Sequence, residues 1–274
     1  MQSTDLQKLE VFLRPLCDRG IALAFSGGVD SSLLLAVLMK LHKEKPFPFM
    51  VLSAVSTLQS ARDAEEIQAA AEFYGIQVHF VRCDVLALPE VKGNTPLRCY
   101  HCKKYIFRSM LDEAAKEGIG TLLEGSHADD LKSYRPGRKA LAELQVVSPL
   151  EILGFSKSAV RAMAKMLGVK TAERPSSPCL ATRFDYGETL TEEKLHRAAG
   201  GEKLLRRFLP ENADLRLRIH GTMGRIEVNG EFFQQILNHR SEILEELEKL
   251  GFERVVLDIA GFASGSFDRI RKEN

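Results

Sequence analysis

Short apolar runs alternate with helix-period stretches through the first two thirds of the chain. The runs over 21–25, 49–55, 76–82, 121–124 and 145–148 predict strands. Between them, apolar positions three and four apart predict helices over 30–42, 60–74 and 99–117, the last two closed by Gly75 and Gly118. A further helix is expected over 156–167, capped by Ser156 and stopped by Gly168. Alternation of this kind builds βαβ units, so the expected fold class is α/β: a doubly wound parallel sheet with its ligands at the carboxyl ends of the strands.

The pattern breaks over 170–188, an irregular stretch with Pro175, Pro178 and Gly187. It is longer than an ordinary connection and reads as a functional loop at a domain junction. Beyond Leu190 the order becomes helix, two strands, helix and strand, ending near 259, which predicts a second, smaller α/β unit. The expected domains are therefore 1–188, junction loop included, and 189–274. No repeat or heptad run interrupts either, and the charged run over 242–249 reads as the solvated face of a helix.

Composition narrows the class. With 274 residues, 45% of them hydrophobic, the chain can fill one large core and a smaller one. A formal net charge of +1 offers no basic stripe, which argues against a large nucleic acid as partner. The first ten residues are polar and of mixed charge, and no apolar run approaches the roughly 18 residues that span a bilayer, so a cytoplasmic protein without a membrane partner is expected. Five cysteines, an odd number in such a chain, point to reduced thiols rather than disulfides.

The chemistry begins at Ser26-Gly27-Gly28-Val29-Asp30-Ser31, which ends the first strand and opens a helix. Glycines allow a tight turn and close backbone approach, while the first helical amides and the Ser26 and Ser31 hydroxyls supply donors for a phosphate. Asp30, at the helix start, is placed to help hold Mg²⁺. The loop lacks the lysine of the GxxxxGK[ST] motif and resembles the pyrophosphate loop of the ATP pyrophosphatases, which activate a substrate oxygen as its adenylate.

Cys17 and Cys83 lie in apolar segments and read as core residues. Cys99 and Cys102 open a helix beside Arg98, Lys103 and Lys104, where amides and cations favour thiolates. With Cys179, from the long loop, they make three thiols. Spacing alone leaves a redox dithiol, a zinc site with His101 or another residue as fourth ligand, an iron–sulfur cluster and coincidence all open. In the second unit, alternation puts Arg216, Arg218 and His220 on one strand face, with Arg225 and Glu227 on the next strand. That face is either a half-solvated sheet surface or a pocket for an anionic substrate.

Taken together, the loop SGGVDS and the segments NTPLRCYHCKK (94–104), SYRPG (133–137) and SPCLATRFDYG (177–187) resemble the LarE family, over nearly the whole chain. The family comprises ATP-dependent sulfur transferases of nickel-pincer nucleotide cofactor synthesis, the cofactor of lactate racemase. The resemblance implies a Rossmann-like PP-loop fold and adenylation of a carboxylate on a pyridinium dicarboxylic acid mononucleotide, followed by attack of sulfur. It implies a [4Fe-4S] cluster on Cys99, Cys102 and Cys179, with sacrificial donation of the Cys179 sulfur as the alternative.

By the same resemblance, Ser26, Gly27, Gly28, Asp30 and Ser31 hold the ATP phosphates, Ser53 lies near the base and Lys103 near the α-phosphate. Arg183, Arg216 and Arg218 grip the substrate, with Glu202 and Glu227 beside them as charge partners or, for Glu227, a ligand of a divalent ion. Asp129, Asp130 and Arg135 either face this site or form a solvated loop. A homo-oligomer and a sulfur-supplying protein are expected as partners. The competing readings are a tRNA-thiolating enzyme, which needs an extended RNA surface, an amidating synthetase, which needs an ammonia source, and a nucleotide-binding module without catalysis.

Overall fold

The first strand ends where the phosphate loop begins, and its neighbours fix what surrounds that loop. A computed structural model describes residues 2–59, 61–132, 135–172, 178–210 and 213–263. Its elements run α1 (Gln2–Cys17), β1 (Ile21–Ala24), α2 (Val29–Glu44), β2 (Phe49–Val55), α3 (Ala61–Tyr74) and β3 (Val78–Arg82). They continue through α4 (Pro89–Lys92), α5 (Arg98–Lys116), β4 (Thr121–Leu123), α6 (Gly137–Glu143), α7 (Pro149–Ile152) and α8 (Lys157–Met166). The remainder is α9 (Glu192–Arg206), β5 (Leu215–His220), β6 (Met223–Val228), α10 (Phe233–Asn238), α11 (Arg240–Lys249) and β7 (Arg254–Leu257).

The chain forms two compact units. Met1–Ser56, Ala61–Leu88 and Leu97–Arg174 make the first, and Thr57–Ser60, Pro89–Pro96 and Pro175–Asn274 the second. This division differs from a single cut at 188, and hydrogen bonds explain it. Leu180 N–H donates to Leu58 O, Gly187 N–H to Asn94 O and Leu190 N–H to Lys92 O, so the far half of the junction loop is knitted to 57–60 and 89–96. Asn94, fully buried at φ 47°, donates from Nδ2 to the carbonyls of Phe184 (3.2 Å) and Asp185 (2.8 Å).

In the first unit four parallel strands lie in the order β3-β2-β1-β4. Ile21, Leu23, Phe25, Val51 and Leu123 bury one face against Leu9, Leu13, Leu34, Leu38, Val160 and Met163 of α1, α2 and α8. Ala22, Met50, Leu52 and Leu122 point the other way, to the side covered by α5. With helices on both faces, the sheet is the expected doubly wound one. Its order reverses at β1, and a reversal of this kind opens a crevice for a ligand at the strand ends. The strand expected over 145–148 is reduced to one parallel bridge, Leu123 to Val147, because Gln145 takes φ 55° after α6 and Pro149 starts α7.

The second unit has the order β5-β6-β7, a hairpin followed by a strand parallel to β6. Leu217 and Ile219 bury one face of β5, and α9 packs on that strand. Of the described residues, no helix is long and apolar enough to cross a membrane.

Candidate functional site

The loop after β1 is built largely by its own serines. Gly27 sits at φ 75°, a backbone region that a side chain resists, so this glycine is required by conformation. Gly28, the residue before α2, has ordinary angles, and a Cβ there would meet only Ser26 Oγ, at 3.5 Å. Its lack of a side chain leaves the loop open to a ligand instead. The Ser31 hydroxyl is buried and donates to Gly28 O at 3.1 Å, while Ser26 N–H donates back to it at 3.3 Å. Ser31 therefore shapes the loop from within, and Ser26, exposed, is the outward hydroxyl.

Asp30 meets a residue that sequence reasoning missed. Lys157, first residue of α8, places its ammonium 2.8 Å from Asp30 Oδ1 and 2.6 Å from Oδ2. Its own N–H donates to Asp129 Oδ2 at 2.8 Å, and Ser156 caps the helix by accepting from Ala159 N–H. The carboxylate thus presents both oxygens to a cation, and the cation it meets is an ammonium.

Asp130 is buried, accepts from His127 N–H at 3.2 Å and lies 2.9 Å from Arg135. Asp129 is thus bonded to the first amide of α8 and Asp130 is held within the turn after β4, while the Arg135 side chain stays half exposed, as on a solvated loop. Ser133 and Tyr134 of that motif, and Ser177 and Pro175 of the junction loop, lie outside the described residues.

Lys103 runs its stem over Gly137, the first residue of α6, where a Cβ would lie 2.7 Å from Lys103 Cδ and 3.3 Å from Cys99 O. Its ammonium stands 5.8 Å from the Phe107 ring centre. Cys99 and Cys102 occupy the first turn of α5, half-buried, as the sequence placed them. Ser53, in β2, is fully buried with a hydroxyl that has no partner among the described residues. Cys17 and Cys83 are buried core thiols, and burial pushes both up from the ordinary thiol range.

In the second unit the arginines are not on a half-solvated face. Arg183, Arg216 and Arg218 are 3%, 7% and 1% exposed, because the turn 180–183 and Phe262 cover the strand face that alternation leaves polar. Arg183 forks onto Glu202, Nε to Oε1 at 2.7 Å and Nη2 to Oε2 at 2.9 Å. Burial pushes its guanidinium down, but Glu202 outweighs that and leaves it raised. Glu202 Oε1 also accepts Leu217 N–H at 3.0 Å, tying α9 to β5.

Arg218 donates to Glu227 Oε1 at 3.0 Å and to Thr182 O at 2.5 Å; burial nevertheless lowers it. Arg225 reaches the same Glu227 oxygen at 3.0 Å. Two guanidinium groups thus meet Glu227 at Oε1, while its Oε2 is buried without a partner among the described residues. Among the described residues, no three His, Cys, Asp or Glu side chains gather to hold a metal ion.

Arg216 has no carboxylate within ion-pair distance among the described residues. Its guanidinium stacks 4.6 Å from the Phe262 ring centre and donates only to Ala263 O, at 3.4 Å, while its Nε is buried without a partner. Burial, then Arg218 and Arg183, push it down to about 10. On Cys179, exposed at the head of the same turn, the backbone carbonyl accepts from Thr182 Oγ1 at 2.8 Å. His220 Nδ1 pairs with Asp185 at 3.0 Å.

Comparison with known proteins gives these features a setting. The PP-loop domain family matches residues 1–132. An uncharacterized protein of Synechocystis sp. is 35% identical over 272 residues, 98% of this chain and 99% of its own length. The pyridinium-3,5-bisthiocarboxylic acid mononucleotide synthase of Lactiplantibacillus plantarum is 33% identical over 246 residues, 89% of this chain and 87% of its own. The tRNA-specific 2-thiouridylase of Acetivibrio thermocellus is 26% identical, with 63% of this chain and 59% of that protein covered. The glycine loop at the end of β1 and the near full-length match to the synthase lead to one conclusion: the chain belongs to the LarE family of PP-loop ATP-dependent sulfurtransferases.

Proposed function

We propose that this enzyme adenylates a carboxylate of a pyridinium dicarboxylic acid mononucleotide and converts it to a thiocarboxylate, in nickel-pincer nucleotide cofactor synthesis. The observation that carries the substrate reading is Arg216: a buried guanidinium that has no carboxylate of its own among the described residues, beside two others whose charges Glu202 and Glu227 already meet. A buried charge in surplus invites an anion, and arginine forks fit phosphate and carboxylate alike.

At the other unit, the amides of Gly27 and Gly28 and the Ser26 hydroxyl receive the β- and γ-phosphates. Asp30 holds Mg²⁺, which offsets phosphate charge when bound. Lys103 stands by the α-phosphate, and the buried Ser53 hydroxyl offers the base a hydrogen bond. A substrate carboxylate oxygen attacks the α-phosphorus and pyrophosphate leaves; sulfur then attacks the acyl carbon and AMP leaves. Cationic side chains at the α-phosphate stabilise charge that grows in the first step.

Cys99, Cys102 and Cys179 would hold a [4Fe-4S] cluster, which when bound supplies a site for transferable sulfide. A second reading, sacrificial use of Cys179, is favoured by that thiol's exposure at the head of the turn that carries Arg183. A homo-oligomer and a sulfur-supplying protein complete the proposal.

The test is pyrophosphate and AMP release dependent on the pyridinium mononucleotide, in wild type, Arg216→Met and Asp30→Asn. Mononucleotide-dependent release lost in both variants is expected; full release by Arg216→Met sinks the substrate reading. Mass spectrometry of the Cys179 peptide after turnover separates the sulfur routes, because loss of H₂S marks sacrifice.

A further inference from the structure

Lys157 has no part in the reaction just described, yet its ammonium and its backbone N–H are both committed to carboxylates at the nucleotide end of the sheet. The amide bond to Asp129 and the Ser156 cap fix the start of α8, so the aliphatic stem is the part of Lys157 that can swing. The two side chains are 29% and 24% exposed, enough for the ammonium to leave the carboxylate without crossing a packed core.

We propose that Lys157 is a resident cation: it occupies the magnesium position on Asp30 while the loop is empty, so that metal enters only together with nucleotide. The inference rests on the reading of Asp30 as the magnesium carboxylate. An ammonium clasped by both oxygens blocks a second cation and repels it from the same place. Magnesium gives up water reluctantly and binds through one or two carboxylates together with substrate phosphates, so a single carboxylate already neutralised offers it little. A triphosphate reverses the balance by bringing several negative charges at once. Asp30 and the phosphates would then hold magnesium together, and the Lys157 ammonium moves from the carboxylate to the phosphate oxygens. The exchange is a coupling between metal and nucleotide and acts equally in both directions.

The experiment measures Mn²⁺ binding by electron paramagnetic resonance and calorimetry, with and without α,β-methylene-ATP. The full chain is used as wild type, Lys157→Gln, Lys157→Met, Lys157→Arg and Asp30→Asn, each checked for folding by circular dichroism. Wild type should bind Mn²⁺ at least about tenfold tighter with the analogue than without, and both neutral Lys157 variants should bind Mn²⁺ alone at least about tenfold tighter than wild type does. Lys157→Arg, which keeps a cation, should match wild type. Neutral variants with wild-type affinity for Mn²⁺ alone overturn the proposal, while loss of ternary Mn²⁺ in Asp30→Asn keeps the Asp30 reading. Full ternary binding by Asp30→Asn instead removes that reading, and the resident cation with it. Two neutral substitutions are made so that a folding failure of one leaves the other to decide.

Discussion

In the first unit the loop after β1 rests with its charges matched, Asp30 to Lys157, both partly in water; in the second, Arg183, Arg216 and Arg218 are buried with Glu202 and Glu227 as their carboxylates among the described residues. The first arrangement costs the resting protein little and must be broken by a highly charged ligand. The second holds a buried charge in surplus among the described residues, which on the proposed reading an anionic substrate completes. Burial, with Arg218 and Arg183 alongside, holds the Arg216 guanidinium down at about 10, so its charge is carried at a cost to the fold. On the proposed substrate reading, the second unit trades stability for anion affinity, and the first does not.

The comparison is broken hardest at Arg218. Arg218→Met leaves Glu227 buried with Arg225 as its remaining guanidinium, and should cost about 3–5 kcal/mol in chemical denaturation. Arg216→Met should act in the opposite sense. It removes the surplus charge and should stabilise the protein by about 1–3 kcal/mol, while weakening mononucleotide binding roughly 10- to 100-fold and leaving ATP affinity unchanged in calorimetry. If it destabilises, Arg216 is a structural ion and the contrast fails.

The pH dependence sharpens the same point. Below about 10 Arg216 is charged in both folded and unfolded chains and the penalty is complete. Above that, the unfolded chain binds the extra proton, so stability rises with pH and the gap between wild type and Arg216→Met should narrow in paired melts.

Smaller effects belong to the first unit. Gly137→Ala forces a Cβ to within 2.7 Å of Lys103 Cδ and should cost about 1–2 kcal/mol in thermal melts, with a slower adenylation step because the lysine is displaced. Ser156→Ala removes the α8 cap and should cost about 1 kcal/mol, with Mn²⁺ binding alone shifted slightly if Lys157 loosens.

What could be read from sequence tracks how local its cause is. Apolar runs and glycine stops placed β1 to β4 and the helices α2, α3, α5 and α8 within a few residues, because burial of a strand is written in consecutive positions, whereas the 16-residue α1 was not placed. The phosphate loop was legible for the same reason. Lys157 was not, since its partner lies 127 residues away and only the Ser156 cap marked its surroundings. The arginine strand was half legible: alternation located Arg216 and Arg218 on one face, but the cover over that face comes from 180–183 and Phe262, which no periodicity in β5 announces. Short helices such as α6 and α7 hold too few turns to show a period, and the segment 89–96 belongs to the second unit through contacts made long after it in the chain.

That last feature bears on how the protein is made. Asn94 leaves the ribosome 90 residues ahead of Phe184, whose carbonyl it must meet. At about 5–20 residues per second it waits roughly 5–20 seconds with its amide served only by water or by chance neighbours. Throughout that interval the smaller unit has an opening strap and no body, so its assembly is post-translational in character even while synthesis continues, and a chain truncated before 184 would leave the strap permanently unfastened.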